Sequence, residues 1–103
     1  MYKFIFFVPD DYVESVKRAV FDAGAGTLGH YRECSWQTLG LGQFRPMPES
    51  DPFIGATGSL ECVSEFRVEM LCDETLIYDV IKAFKQAHPY EEPAYEVIKL
   101  VSC

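Results

Sequence analysis

Residues 60–72, LECVSEFRVEMLC, decide the fold, because apolar and charged side chains change places almost step by step. Leu60, Cys62, Phe66, Val68, Met70 and Cys72 alternate with Glu61, Glu65, Arg67 and Glu69. Successive side chains of an extended chain point to opposite faces, so this spacing predicts a strand with one face on a core and the other toward water. Such a strand needs a second layer over its apolar side. Just downstream, Asp73 stands where it can cap a helix whose Leu76, Ile77, Val80, Ile81, Phe84 and Ala87 form an apolar stripe. Pro89 biases His88 out of helical geometry and ends that helix. Residues 94–101, AYEVIKLV, read as a closing strand.

Upstream, residues 2–8, YKFIFFV, form an apolar and aromatic run that ends at Pro9 and reads as a strand buried on both faces. Asp10 or Asp11 can cap the next helix, with Asp11 and Glu14 in capping-box register. Its stripe is Val13, Val16, Ala19, Val20 and Ala23, and Gly24 is a left-handed C-cap. A second strand is expected from Tyr31 to Phe44, bent at Gly40 and Gly42. The loop that follows, RPMPESDPFIGATGS, carries three prolines and two glycines. The order β-α-β-β-α-β predicts one domain over residues 1–103, a ferredoxin-like α+β sandwich with an antiparallel sheet and both helices on one face. That architecture leaves the other sheet face open. Either Phe4 and Phe6 or Ile5 and Phe7 must point toward it, and Val97 and Ile98 also fall on opposite faces. These six residues are the interface candidates of a self-associating protein, since an uncovered aromatic patch marks an association surface.

Composition narrows the function. Nine Lys and Arg against sixteen Asp and Glu give a formal net charge of -7, which opposes phosphate neutralisation and argues against a nucleic-acid partner. The start, MYKFIFFVPDD, is too short an apolar run for a signal-peptide core or a membrane span, so no membrane partner and a cytoplasmic location are expected. Cys34, Cys62, Cys72 and Cys103 contain no C-x-x-C pair, which speaks against a zinc knuckle or redox dithiol. Ten strand steps of about 3.3 Å keep Cys62 and Cys72 some 33 Å apart, beyond the disulfide span of about 4.4–6.8 Å. Reduced cysteines acting as small hydrophobes are expected.

Residues 24–29, GAGTLG, spell the G-x-G-x-x-G of dinucleotide-binding folds. In such folds the glycines follow a strand and open a helix, so that a pyrophosphate meets the helix N-terminus. Here Gly24, Gly26 and Gly29 follow a helix and precede a strand, and a ligand phosphate would face the negative end of the dipole. They read as a cap and a tight connection. Residues 40–44, GLGQF, lack the Lys and Ser/Thr of a phosphate loop. The richest constellation is HPYEEPAYE, residues 88–96, where His88, Glu91 and Glu92 offer an imidazole and two carboxylates. That set suits a divalent cation, the single cofactor candidate, with His30 or Cys34 as further ligands from another strand or subunit. The structural alternative is a turn stiffened by Pro89 and Pro93, with Tyr90 and Tyr95 packing their rings. No catalytic residue is assigned, because no Ser or Cys nucleophile is visibly paired with a base.

Taken together, AGAGTLGHYRECSWQ, GLGQFRP, PFIG and AHPYEEPAYEV resemble the inserted domain of the NGG-interacting-factor, YqfO-like family, whose members are sometimes labelled type 2 GTP cyclohydrolases. The string before the last strand is also similar to that of the CutA proteins. The resemblance implies a PII/CutA-like fold, assembly as a trimer, and a separate domain of the same family as a further partner. It also implies that paired metals and hydrolase chemistry belong to that other domain, so no residue here inherits them. The expected function is a non-enzymatic regulatory or ligand-sensing module, with cation binding at His88 and an accessory role to a metal-dependent hydrolase as alternatives. The expected ligand region is a subunit edge near His88, Glu91, Glu92 and the loop after Arg45.

Overall fold

The computed structural model describes residues 1–102. Four strands, β1 (Tyr2–Pro9), β2 (Trp36–Phe44), β3 (Glu61–Cys72) and β4 (Tyr95–Lys99), form one antiparallel sheet in the order β2-β3-β1-β4. Two helices, α1 (Val13–Asp22) and α2 (Ile77–Ala87), complete the β-α-β-β-α-β order. The ferredoxin-like α+β architecture is therefore the one the alternation in residues 60–72 predicts. Phe4, Phe6, Val8, Val68 and Met70 project from the two central strands against Val16, Val20, Val80 and Phe84 of the helices, and this is the core. Phe84 meets Phe6 with ring centroids 5.1 Å apart and Phe4 edge-on at 5.5 Å. Aromatic pairs in such tilted geometries add to the stabilisation from burial alone.

Several boundaries differ from the sequence expectation. Residues 10–12 form a 3-10 turn with no side-chain cap, so the Asp11–Glu14 capping box is not made. Asp73 instead closes an Asx turn, its Oδ1 accepting from the Thr75 backbone N–H at 2.8 Å, and α2 begins at Ile77. The end of α1 follows the C-cap rule closely. Gly24, at φ +111°, donates to Phe21 O, and Ala25 donates to Val20 O, the paired bonds of a Schellman cap. The chain then ties itself to the sheet through Gly26, which donates to Leu71 O and accepts from Cys34 N–H, both at 2.8 Å. That detour explains why β2 starts at Trp36 rather than Tyr31, which makes only an isolated bridge to Leu28.

β2 is not bent at its glycines. Its register with β3 runs unbroken from Trp36 opposite Glu69 to Phe44 opposite Glu61. Because β1 stops opposite Glu65, the outer half of this hairpin continues past the body as a two-stranded ribbon. The molecule measures 46 × 24 × 24 Å, and its radius of gyration is 14.5 Å, above the roughly 13 Å expected of a compact chain this long. Leu41, on the ribbon, is 78% exposed, and Leu39 and Trp36 stand exposed nearer the body.

The first strand answers the question of the open face. Phe4 and Phe6 lie fully buried beneath the helices and are withdrawn as interface candidates. Ile5 and Phe7 point to the other side, yet Ile5 is only 1% exposed. On that face Lys3 and Arg67 both reach Glu69, and the Arg67 guanidinium lies over the Phe7 ring. Charged side chains thus share this face with the apolar strip, and Arg67 covers part of it at Phe7. Of the other candidates, Val97 and Ile98 are partly exposed on β4, a sheet edge.

Candidate functional site

The turn between α2 and β4 is locked to the first strand by His88. α2 ends where Pro89 forces His88 into extended geometry, φ -74° and ψ 136°, which turns the ring inward to 5% exposure. The Tyr90 backbone N–H donates to Nδ1 at 3.1 Å, so the proton sits on Nε2, which donates to Phe7 O at 2.7 Å. The β1–β4 ladder ends at the pair Phe6–Tyr95, and Ala94 O and the His88 ring then take up the N–H and C=O of Phe7. The ring also stacks obliquely between Phe84 at 5.2 Å and Tyr90 at 4.9 Å. Burial lowers the His88 pKa from its ordinary value, against a smaller opposing effect of the Phe7 carbonyl.

This geometry corrects the cation reading. Both ring nitrogens of His88 are occupied, so no lone pair is left for a metal. His30 is exposed and Cys34 half-buried on the connection tied to Leu71, the residue opposite Lys3, whereas His88 bonds to Phe7. Four strand steps of about 3.3 Å put those anchor points roughly 13 Å apart, so one chain does not bring the three candidates together. Among the described residues no group of three His, Cys, Asp or Glu side chains is arranged to hold a metal ion.

The turn does bring Glu91 and Glu92 to an open cleft of about 400 Å³, whose other walls are the ribbon and the loop after Arg45. Phe7, Phe44, Phe53 and Tyr90 supply aromatic surface, and Phe44 lies 5.8 Å from Tyr90 between ring centroids. Asp51 N–H donates to the Glu91 carboxylate and Phe53 packs edge-on against Tyr12, while Arg45 and the Gly58 N–H close the loop on itself by donating to Gly58 O and Pro46 O. Sequence reasoning passed over Glu65, which also lines the cleft. Burial raises its pKa. Burial, followed by the Glu65 charge, also raises that of Tyr90, whose hydroxyl is buried without a hydrogen-bond partner among the described residues. The signal was the glycine pair across from it. A Cβ at Gly42 would run into the Glu65 carboxylate, so the glycine there makes room for an acid rather than a bend.

A β2-β3-β1-β4 sheet under two helices, with a projecting hairpin, is the ferredoxin-like α+β fold that CutA proteins share. The divalent cation tolerance protein CutA of Archaeoglobus fulgidus has the same fold, with a TM-score of 0.69 at 17% identity over 100% of this chain and 87% of that one. A Bacillus cereus protein related to NIF3 is nearer, with a TM-score of 0.84 at 40% identity, over 98% of this chain and 26% of that chain. The GTP cyclohydrolase 1 type 2 homolog of Mycobacterium leprae is 43% identical over 99 residues, 96% of this chain and 26% of that protein. Its namesake in Bacillus subtilis is 41% identical over 95 residues. No protein-family model matches the chain. Over nearly its whole length the chain is similar to one part of these NIF3-related proteins and GTP cyclohydrolase 1 type 2 homologs, and it spans about a quarter of their length. None of the helices among the described residues is long and apolar enough to cross a membrane, which leaves β-barrels unaddressed.

Proposed function

We propose that this domain is a non-enzymatic ligand-binding module that works as a cytoplasmic homo-oligomer, with the cleft between the ribbon, the loop after Arg45 and the Glu91–Glu92 turn as its ligand site. The observation that carries this reading is the composition of the cleft. Its lining holds aromatic rings, three carboxylates and one serine, Ser50, whose hydroxyl donates to Met47 O. No imidazole or thiol lines it, and a nucleophile without a base does not make a hydrolytic site. Incubation with GTP and a divalent metal should therefore yield no product, and turnover that Glu65→Gln abolishes would overturn the reading.

Self-association is drawn from the sheet edges rather than from Phe4 and Phe6. Trp36, Leu39 and Leu41 on β2, and Val97 and Ile98 on β4, leave apolar side chains on strands whose outer backbone groups are unpaired. A trimer is the state that the likeness to CutA suggests. Light scattering on the eluting protein checks it, with a clean monomer at high concentration as the contrary result. A second reading, an accessory domain to a metal-dependent hydrolase, is favoured by the quarter share of relatives named GTP cyclohydrolase 1 type 2 homologs. It predicts that a separately produced metal domain of that family binds this chain.

A further inference from the structure

The charge and surface of the cleft are more specific than its shape. Its volume of about 400 Å³ falls in the range of small-molecule sites, roughly 300–1,000 Å³. Three carboxylates line it, Glu65, Glu91 and Glu92, and none of them makes an ion pair among the described residues. The lone cation on the lining, Arg45, donates to a backbone carbonyl of its own loop. The rings of Phe44 and Tyr90 line it too, and the Tyr90 hydroxyl is buried with no hydrogen-bond partner among the described residues.

Each feature excludes a class of ligand. Unpaired carboxylates repel a phosphate or carboxylate ligand, which removes nucleotides. A small hard cation such as Mg²⁺ keeps its waters and demands oxygen ligands in near-ideal octahedral geometry. Aromatic faces instead attract cations that shed water easily, and their hydrocarbon walls hold an apolar body. We infer that this cleft binds an organic ammonium ion, a protonated amine carried on a hydrocarbon or aromatic body. Its charge sits beside Glu65 and accepts the field of Glu91 and Glu92, while its body lies against Phe44 and Tyr90. The Tyr90 hydroxyl and the half-buried Glu65 carboxylate then gain partners that the described residues do not supply. The inference rests on the reading of this cleft as a ligand site and adds the ligand's chemistry to it.

Calorimetric titration of the full chain with 2-phenylethylammonium, the neutral 2-phenylethanol and the anionic 3-phenylpropionate tests it. The ammonium ion is expected to bind at one per chain, at least about tenfold more tightly than the alcohol, with the anion weakest. Glu65→Gln should weaken the ammonium ion by about tenfold or more, the size of a lost ionic hydrogen bond, and leave the alcohol unchanged. Equal binding of alcohol or anion would overturn the cation assignment and leave the cleft standing as a ligand site. Ammonium binding indifferent to Glu65→Gln would overturn the assignment too, by moving the ion elsewhere. Binding by none of the three probes at millimolar concentration would overturn the cleft reading together with the inference.

Discussion

Replacing His88 by alanine tests the claim that this histidine is a structural tie and not a ligand. The substitution removes the Nε2 donor to Phe7 O and the Nδ1 acceptor from Tyr90 N–H, and strips a ring from between Phe84 and Tyr90. A buried backbone group left without its partner costs about 1–3 kcal/mol, so two such groups give about 2–4 kcal/mol after partial relaxation. At about 4–8 °C per kcal/mol for a domain of this size, the melting temperature should fall by roughly 8–30 °C. His88→Asn, which can offer an acceptor at the Nδ1 position, should recover about half of that. The wild type also carries a pH signature. Its native imidazole has a lowered pKa, so the unfolded chain takes a proton more readily than the folded one. Stability is full above the ordinary imidazole value of about 6.5 and is lost as pH falls through the lower native value. Thermal scans by circular dichroism between neutral and mildly acidic pH, with and without millimolar zinc, read all of this. A His88→Ala protein that melts within a degree or two of wild type, or zinc stabilisation that disappears with the imidazole, would refute the reasoning.

Burial raises the Glu65 pKa, so the native carboxyl holds its proton longer than the unfolded one. The associated stability is complete below the unfolded value and is lost as pH rises through the native one. Glu65→Gln should therefore melt higher than wild type at neutral pH, with the gap closing in acid, and a gap independent of pH would contradict the cause. Tyr90→Phe removes a buried hydroxyl without a partner and should stabilise by about 1 kcal/mol, read as a shift in the urea midpoint at constant slope. Gly26→Ala forces an alanine to φ +82° with its Cβ 2.8 Å from the Phe21 ring and 3.1 Å from Cys34 O. A cost of about 3 kcal/mol is expected from backbone and clash together. Gly29→Ala, with nothing within 4 Å, should cost about 1 kcal/mol. Equal melting of the two variants would remove the role given to Gly26.

What the sequence carried plainly was whatever depends on short-range period. The two-residue alternation of β3 and the helical spacing of α2 each assign a set of residues to one face, and α2 and the stretch from Phe66 to Cys72 keep that face on the core, whereas Leu60 and Cys62 lie exposed where the hairpin leaves the body. The Gly24 cap was legible for the same reason, since a glycine at the end of an apolar stripe has one common use. What was not legible depended on partners far along the chain. YKFIFFV gives no sign of which of its two apolar sets meets the helices. Strand register decides that, and here Phe4 faces Met70 and Phe6 faces Val68. Nor does it foretell that Arg67 lies over Phe7 and meets Glu69 together with Lys3, because that arrangement spans two strands separated by more than half the sequence.

The site divides in the same way. Residues 88–92 were found because imidazole and carboxylates crowd into one turn, but local crowding does not say which groups face inward. His88 was the most suggestive letter for metal chemistry, yet the Pro89 that ends α2 also turns its ring toward Phe7. The same rotation sends Glu91 and Glu92 outward, so the turn becomes a rigid wall whose inner side is structural and whose outer side is acidic. Across the cleft stands a loop held by Glu91, by its own Arg45 and by the edge of Tyr12. An ion that draws the Glu91 carboxylate toward itself must compete with the Asp51 N–H, so occupancy of the cleft and the position of the loop are thermodynamically linked.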